Sequence, residues 1–189
     1  MKKILIILSI VVSLFASVES EVEKSRFSHK NGVLTDSFAG MQWQDNKDSR
    51  SIRKKWKDAI SYCENLTLDD KSDWRLVNKI ELEYVLKNKQ NFKNISDNFY
   101  WSSTTFSDNT SEAWDGALKG AYISKSAKSY IEQVRCVRGE QFDNFDSLKR
   151  KVKKYLNLKY QNIKNNIKKQ YEKVNSQNNI SGYEWFIKT

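Results

Sequence analysis

Few side chains in this 189-residue chain are suited to covalent chemistry. Cys63 and Cys136 are its two cysteines and His29 its one histidine. The hydroxyl run Ser102-Ser103-Thr104-Thr105 invites a nucleophile reading, but serine needs a positioned base, and His29 lies far upstream. Hydroxyls bonded to the backbone at a strand end are the simpler expectation. One histidine and two paired cysteines do not build a typical zinc site. Asp69, Asp70 and Asp73 could gather around calcium, yet the calcium-loop pattern of helix–loop–helix proteins is missing, and the segment reads as a solvated acidic loop. Trp101 and Trp114 offer flat faces on which a sugar could stack. Both fall in strand-like runs, so they are expected in the core with Trp74, while Asp73 pairs or caps locally. The chain therefore reads as non-catalytic, with no metal ligand and no cofactor.

The compartment follows from the first residues. Met1-Lys2-Lys3 precedes an uncharged run from Ile4 to Ala16. A basic start, a short apolar stretch and small residues beyond it describe a signal peptide. Val18 and Ser20 suit a cut before Glu21; a cut after Ala16 is the second option, and an uncleaved anchor is the competing reading. The run is shorter than the roughly 20 residues a membrane-spanning helix requires, and no cysteine follows it to take a lipid. The expected location is the periplasm or the cell exterior, without a transmembrane segment in the mature form. There, two cysteines normally pair; two buried free thiols are the alternative. They stand 73 residues apart.

The elements that would position these residues come from periodicity. Strands are expected at Val33–Leu34 and Met41–Trp43. Ile52, Trp56, Ala59, Ile60 and Cys63 recur at helical spacing, which predicts a helix over Ser51–Leu66 with Cys63 on its buried face. Trp74-Arg75-Leu76 reads as a short strand. Asn78 followed by Glu81 has the spacing of a capping box, with Ile80, Leu82, Val85 and Leu86 as the apolar face of a second helix. Later strands are expected from Phe99 through Thr105, at Trp114–Leu118, at Tyr122–Ile123 and at Val134–Val137. Helices first and strands later imply an α+β domain.

The motifs Trp56-x-x-Ala59-Ile60-x-x-Cys63-x-Asn65-Leu66, Ser72-Asp73-Trp74-Arg75-Leu76, Glu81-Leu82, Tyr100-Trp101-Ser102-Ser103-Thr104 and Val134-Arg135-Cys136-Val137-Arg138-Gly139 occur in that order. From Gly32 to Gly139 the chain resembles the DUF1566 family, named for the C-terminal domain of a collagen-like bacterial adhesin, Lcl. The resemblance implies a C-type-lectin-like fold, related to that of the formylglycine-generating enzymes, with two helices and a small, mostly antiparallel twisted sheet. It also implies a Cys63–Cys136 disulfide and an exported bacterial domain used in surface binding. For the adhesin itself, the implied ligands are sulfated polysaccharides. Two departures stand out. Val77 replaces the proline usual after Trp-Arg-Leu, and Ala39-Gly40-Met41-Gln42-Trp43 keeps only the glycine and tryptophan of the family's Thr-Gly-Leu-Met-Trp.

The chain thus divides into a leader (1–20), the recognised domain (21–140) and a basic extension (141–189). Eleven basic and four acidic residues give the extension +7 of the total +10. Phe145, Leu148, Val152, Leu156, Tyr160, Ile163, Ile167, Tyr171 and Val174 recur every three or four positions, predicting one long amphipathic helix over Asp143–Val174. The stripe could pack on the domain, pair with a second copy, or rest on an anionic surface. Lys149, Arg150, Lys151, Lys153, Lys154, Lys164, Lys168 and Lys169 are the candidate ligand-binding residues; a merely solvated lysine face is the bland alternative. The closing Gly182-Tyr183-Glu184-Trp185-Phe186 is aromatic enough to dock on the domain. The expected function is adhesion to an anionic polysaccharide or cell-envelope surface; the alternative is an assembly protein oligomerising through this helix. Nucleic acid is not an expected partner of an exported chain.

Overall fold

The computed structural model describes residues 26–118 and 120–178. The leader and the aromatic closing segment lie outside the described residues, as do the side chains of Tyr171 and Val174. Among the described residues no helix is long and apolar enough to cross a membrane. The chain forms two compact units, one ending at Leu148 and one starting at Lys149.

The first unit is α+β, built on two five-stranded sheets. One sheet has the order β1-β2-β3-β10-β5, from Phe27–Lys30, Val33–Asp36, Met41–Gln44, Cys136–Arg138 and Arg75–Leu76, and its pairs are antiparallel. It begins with a tight hairpin in which Asn31 and Gly32 both take positive φ. That is what a two-residue turn matching strand twist requires, and Asn-Gly is the pair that supplies it. A Cβ on Gly32 would also meet the Asn46 Cβ at 2.8 Å.

The other sheet has the order β4-β9-β6-β7-β8, from Arg53–Lys54, Glu132–Gln133, Phe99–Thr105, Glu112–Ala117 and Tyr122–Ala127. Here β6 pairs parallel with β9, and the other pairs are antiparallel.

One helix expectation needs correction. Instead of a single helix over Ser51–Leu66, a single turn α1 (Asp48–Ser51) is followed by β4 and then by α2 (Trp56–Glu64). Arg53 and Lys54 pair with Gln133 and Glu132, and the Ile52 carbonyl accepts from the Val134 N–H at 3.2 Å. These contacts draw the backbone out of a helix before Trp56, so the periodic stripe starting at Ile52 spans two elements. Similarly, Val134 lies outside the last strand, between β9 and β10.

Helix α3 (Lys79–Lys87) starts as read: the Asn78 side chain accepts from the Glu81 N–H at 2.8 Å, and Glu81 accepts back from the Asn78 N–H at 2.9 Å. This satisfies two N–H groups that the first turn leaves without helical partners. Val77, standing where the resemblance implies proline, is fully buried and its backbone is used on both sides: its N–H donates to the Arg135 carbonyl and its carbonyl accepts from the Ser103 N–H. The core gathers Ala59, Cys63, Trp74, Leu76, Trp101, Ala113, Val134 and Cys136.

The second unit belongs to α4 (Phe145–Asn178), whose first turn lies in the first unit. Asn144 caps it by accepting from the Ser147 N–H at 2.8 Å.

Candidate functional site

The sequence-nominated residues fall in three settings. Cys63 on α2 and Cys136 on β10 are fully buried and joined in a disulfide that fastens helix to sheet. Neither sulfur is available as a nucleophile or ligand. Ser102 and Thr104 of the hydroxyl run are committed to structure. Ser102 donates to the Trp114 carbonyl at 2.8 Å and accepts from the Thr104 N–H, while Thr104 Oγ1 accepts from the Lys79 N–H. His29 pairs instead with Asp45, at 3.0 Å.

The acidic loop has its own partners. Asp69 accepts from the Asn31 amide at 2.6 Å. Asp73 receives both arms of Arg138, at 2.6 and 3.0 Å, and that bond holds its carboxyl below the usual range. Its partner is therefore remote in sequence, not local as expected. Among the described residues no group of three or more histidine, cysteine, aspartate or glutamate side chains is placed to hold a metal ion.

The tryptophans divide. Trp74 and Trp101 are core, each with its indole N–H donating to a backbone carbonyl, of Lys71 and Lys54 respectively. Trp114 is not core, contrary to expectation. Strand alternation sends Ala113 and Asp115 inward and leaves Trp114 half-buried on the other face. There the Phe106 ring meets it edge-on at 5.2 Å, and the Lys79 ammonium lies 4.1 Å from its centroid. Lys125, opposite Trp114 in the strand register, places its ammonium 3.7 Å from the Phe106 ring. The result is a small mixed surface of aromatic faces and ammonium groups, each such contact worth about 0.5–1 kcal/mol at an exposed site.

The basic residues of α4 form the third setting. Lys149, Arg150, Lys153, Lys154, Lys164, Lys168 and Lys169 are exposed, and Lys151 is half-buried. Leu156, Tyr160 and Ile167 of the apolar stripe are exposed as well.

Among the buried polar clusters that escaped the sequence reading, two lie beside β9. Arg135, between β9 and β10, is fully buried, donates to the carbonyls of Gln44 and Asn94, lies 3.5 Å from Asp45 and stands over the Phe92 ring. Asp115 on β7 and Glu132 on β9 lie within hydrogen-bonding reach of each other, and the Ser126 hydroxyl on β8 donates to Asp115 at 2.5 Å. Burial, and then the charge of Asp115, pushes the Glu132 carboxyl up to about 8; burial also raises Asp115. The one sequence signal was alternation: counting inward from Ala113 puts an acid on a core position.

Residues 32–138 match the family model described as the Lcl C-terminal domain. No curated protein matches the chain.

Proposed function

The chain belongs to the Lcl C-terminal domain family, and from that premise we propose that it is an exported, non-catalytic attachment module for an anionic glycan or cell-envelope surface. The observation that carries this reading is the exposed basic face of α4, on which Lys149, Arg150, Lys153, Lys154, Lys164, Lys168 and Lys169 all reach solvent. Closely spaced cations of one sign attract a polyanion through summed potential, without a preformed pocket. The ammonium-and-aromatic surface around Trp114 supports the same chemistry on the domain, since a ring can hold a pyranose while Lys79 and Lys125 meet its acidic substituents. The disulfide supports the location, because such bonds persist in oxidising compartments.

The test is binding of the full-length chain to dextran sulfate, with uncharged dextran as the control. Replacing Lys153, Lys154, Lys164 and Lys168 by glutamine should weaken binding at least tenfold, and added salt should weaken the parent chain similarly. Affinity indifferent to both would overturn the reading.

A second reading, assembly through α4, is favoured by one specific observation. Leu156, Tyr160 and Ile167 are 41%, 54% and 57% exposed along one stripe. Light scattering of the full chain beside a Leu156→Asp, Ile167→Asp variant separates the readings. A change in mass with unchanged dextran sulfate binding supports assembly, and the reverse supports attachment.

A further inference from the structure

We propose that Asp115 and Glu132 share one proton at neutral pH and form a latch that ties β9 to β7 across the intervening strand β6. Counted as carboxylates, Asp115 Oδ1 and Glu132 Oε2 are buried and have no donor in the protein. Two adjacent ionised carboxylates out of water are strongly unfavourable, and a proton between them supplies the missing donor while removing one charge. Aspartic proteases use the same physics, but here both groups are buried, Asp115 completely, so the pair serves the fold and not a substrate.

The latch adds to a short strand whose flanks are also tied down, Arg53 donating to the Ile131 carbonyl and the Val134 N–H to the Ile52 carbonyl. Strand β9 is two residues long, pairs with β4 at Arg53↔Gln133 and Lys54↔Glu132, and meets β6 at the single pair Tyr100↔Gln133. The connection from β8 into β9 carries Lys128, Tyr130 and Ile131; the latter two are exposed, and the Lys128 ammonium sits 3.9 Å from the Trp56 ring. The neighbours that face the pair are few. β4 brings Arg53, whose charge favours the ionised form, and Lys54, opposite Glu132 in the register. β8 brings the Ser126 hydroxyl, and β6 brings the uncharged Trp101, opposite Asp115. Gln133, next to Glu132, donates instead to the Arg50 carbonyl and the Ser96 hydroxyl.

The sign is fixed by linkage. A carboxyl raised in the folded state keeps its proton where the unfolded chain has released one, so stability falls as pH rises between the two values and levels off above the upper one. The window runs from the ordinary 4.5 to about 8. Loss of the proton leaves two charges in contact, and their repulsion bears on the β8–β9 connection, where Tyr130 and Ile131 are exposed.

The experiment is carboxyl-carbon NMR titration of the full chain, with melting temperature followed over the same range. Glu132 should stay protonated through neutral pH, and the melting temperature should fall through the window. Glu132→Gln, which keeps the shape of the protonated acid, should abolish most of that fall, with Asp115→Asn as the second variant. Amide exchange over 127–133 should quicken as the proton leaves. A Glu132 carboxyl titrating at its ordinary value, or an unaltered pH profile in both variants, would refute the shared proton. Exchange that stays constant through the titration would refute the latch.

Discussion

The domain and α4 handle charge in opposite ways. In the domain, Asp36, Glu81 and Arg135 are fully buried and Asp45 nearly so, and each is met by specific donors or acceptors. Asp36 accepts from the Phe38 and Ala39 N–H groups, from Arg26 and from the Tyr84 hydroxyl, whose own ionisation is pushed well up by burial and by Asp36. Glu81 accepts from both arms of Arg75 at 2.6 Å. Along α4 most of the described cations are exposed, and where Lys168 finds Glu172 at 3.9 Å, both partners are 60% exposed. Buried charges specify geometry because a missing partner is costly. Exposed charges cost little to leave alone and remain available to something outside. The comparison yields a rule: substitutions in the domain should register as stability, and substitutions on α4 as binding.

The largest expected effect tests the domain side. Replacing both Cys63 and Cys136 with serine opens a loop of 73 residues and should cost about 4 kcal/mol in the chain-entropy account. Urea unfolding of the oxidised protein and the variant measures it. A loss below about 1 kcal/mol would mean that packing of α2 on the sheet suffices without the bond. Next comes Arg135→Met. It removes a cation that Asp45 faces at 3.5 Å and strips donors from the Gln44 and Asn94 carbonyls. About 3 kcal/mol is expected, since breaking a buried pair leaves an uncompensated charge. His29 and the Lys93 and Asn94 N–H groups still reach Asp45, which keeps the figure at the lower end. Thermal unfolding of Arg135→Met beside Arg135→Met, Asp45→Asn checks it: the double variant should recover part of the loss.

These buried groups are also where sequence reasoning stopped. Elements with a local signature were legible. The capping box at Asn78 and Glu81 needs only residues three apart, and the stripe on α4 only a period. The disulfide was legible from the export signature and the family motifs. Elements defined by remote partners were not. Strand β4 exists because Arg53 and Lys54 meet Gln133 and Glu132, and no local preference in Ile52-Arg53-Lys54-Lys55 encodes that pairing. Trp114 was misplaced because a tryptophan in a strand reads as core until register decides which face it takes. Asp115 and Arg135 look like ordinary surface charges until burial, a tertiary property, shows otherwise.

A smaller effect probes the boundary of the domain. Asn78→Ala should cost about 1–2 kcal/mol, measurable by urea unfolding. It removes the cap on α3 and the bond from the Asn78 amide to the Phe142 carbonyl at 3.1 Å. Phe142 is fully buried, with its ring 5.9 Å from Tyr84, so the domain's packing continues past Gly139. Phe142→Ala in the Asn78→Ala background should therefore cost less than in the parent chain, because the buried ring fixes the main-chain carbonyl to which Asn78 donates. Additive losses would place Phe142 outside the cap's influence.

The smallest expected stability effect is the sharpest test of the rule. Lys168→Gln removes an exposed helical pair with Glu172, worth no more than about 0.5 kcal/mol and screened by salt. The domain's urea midpoint should stay where it is, while affinity for dextran sulfate falls and its salt dependence becomes shallower. A shift in the domain midpoint comparable to that of Asn78→Ala would mean that α4 supports the fold through its lysines, and the division between structural and available charge would fail. If the midpoint and the affinity both stay fixed, the lysine face is merely solvated, and the attachment role would have to rest on the surface around Trp114, where Lys79→Gln and Lys125→Gln become the variants that decide it.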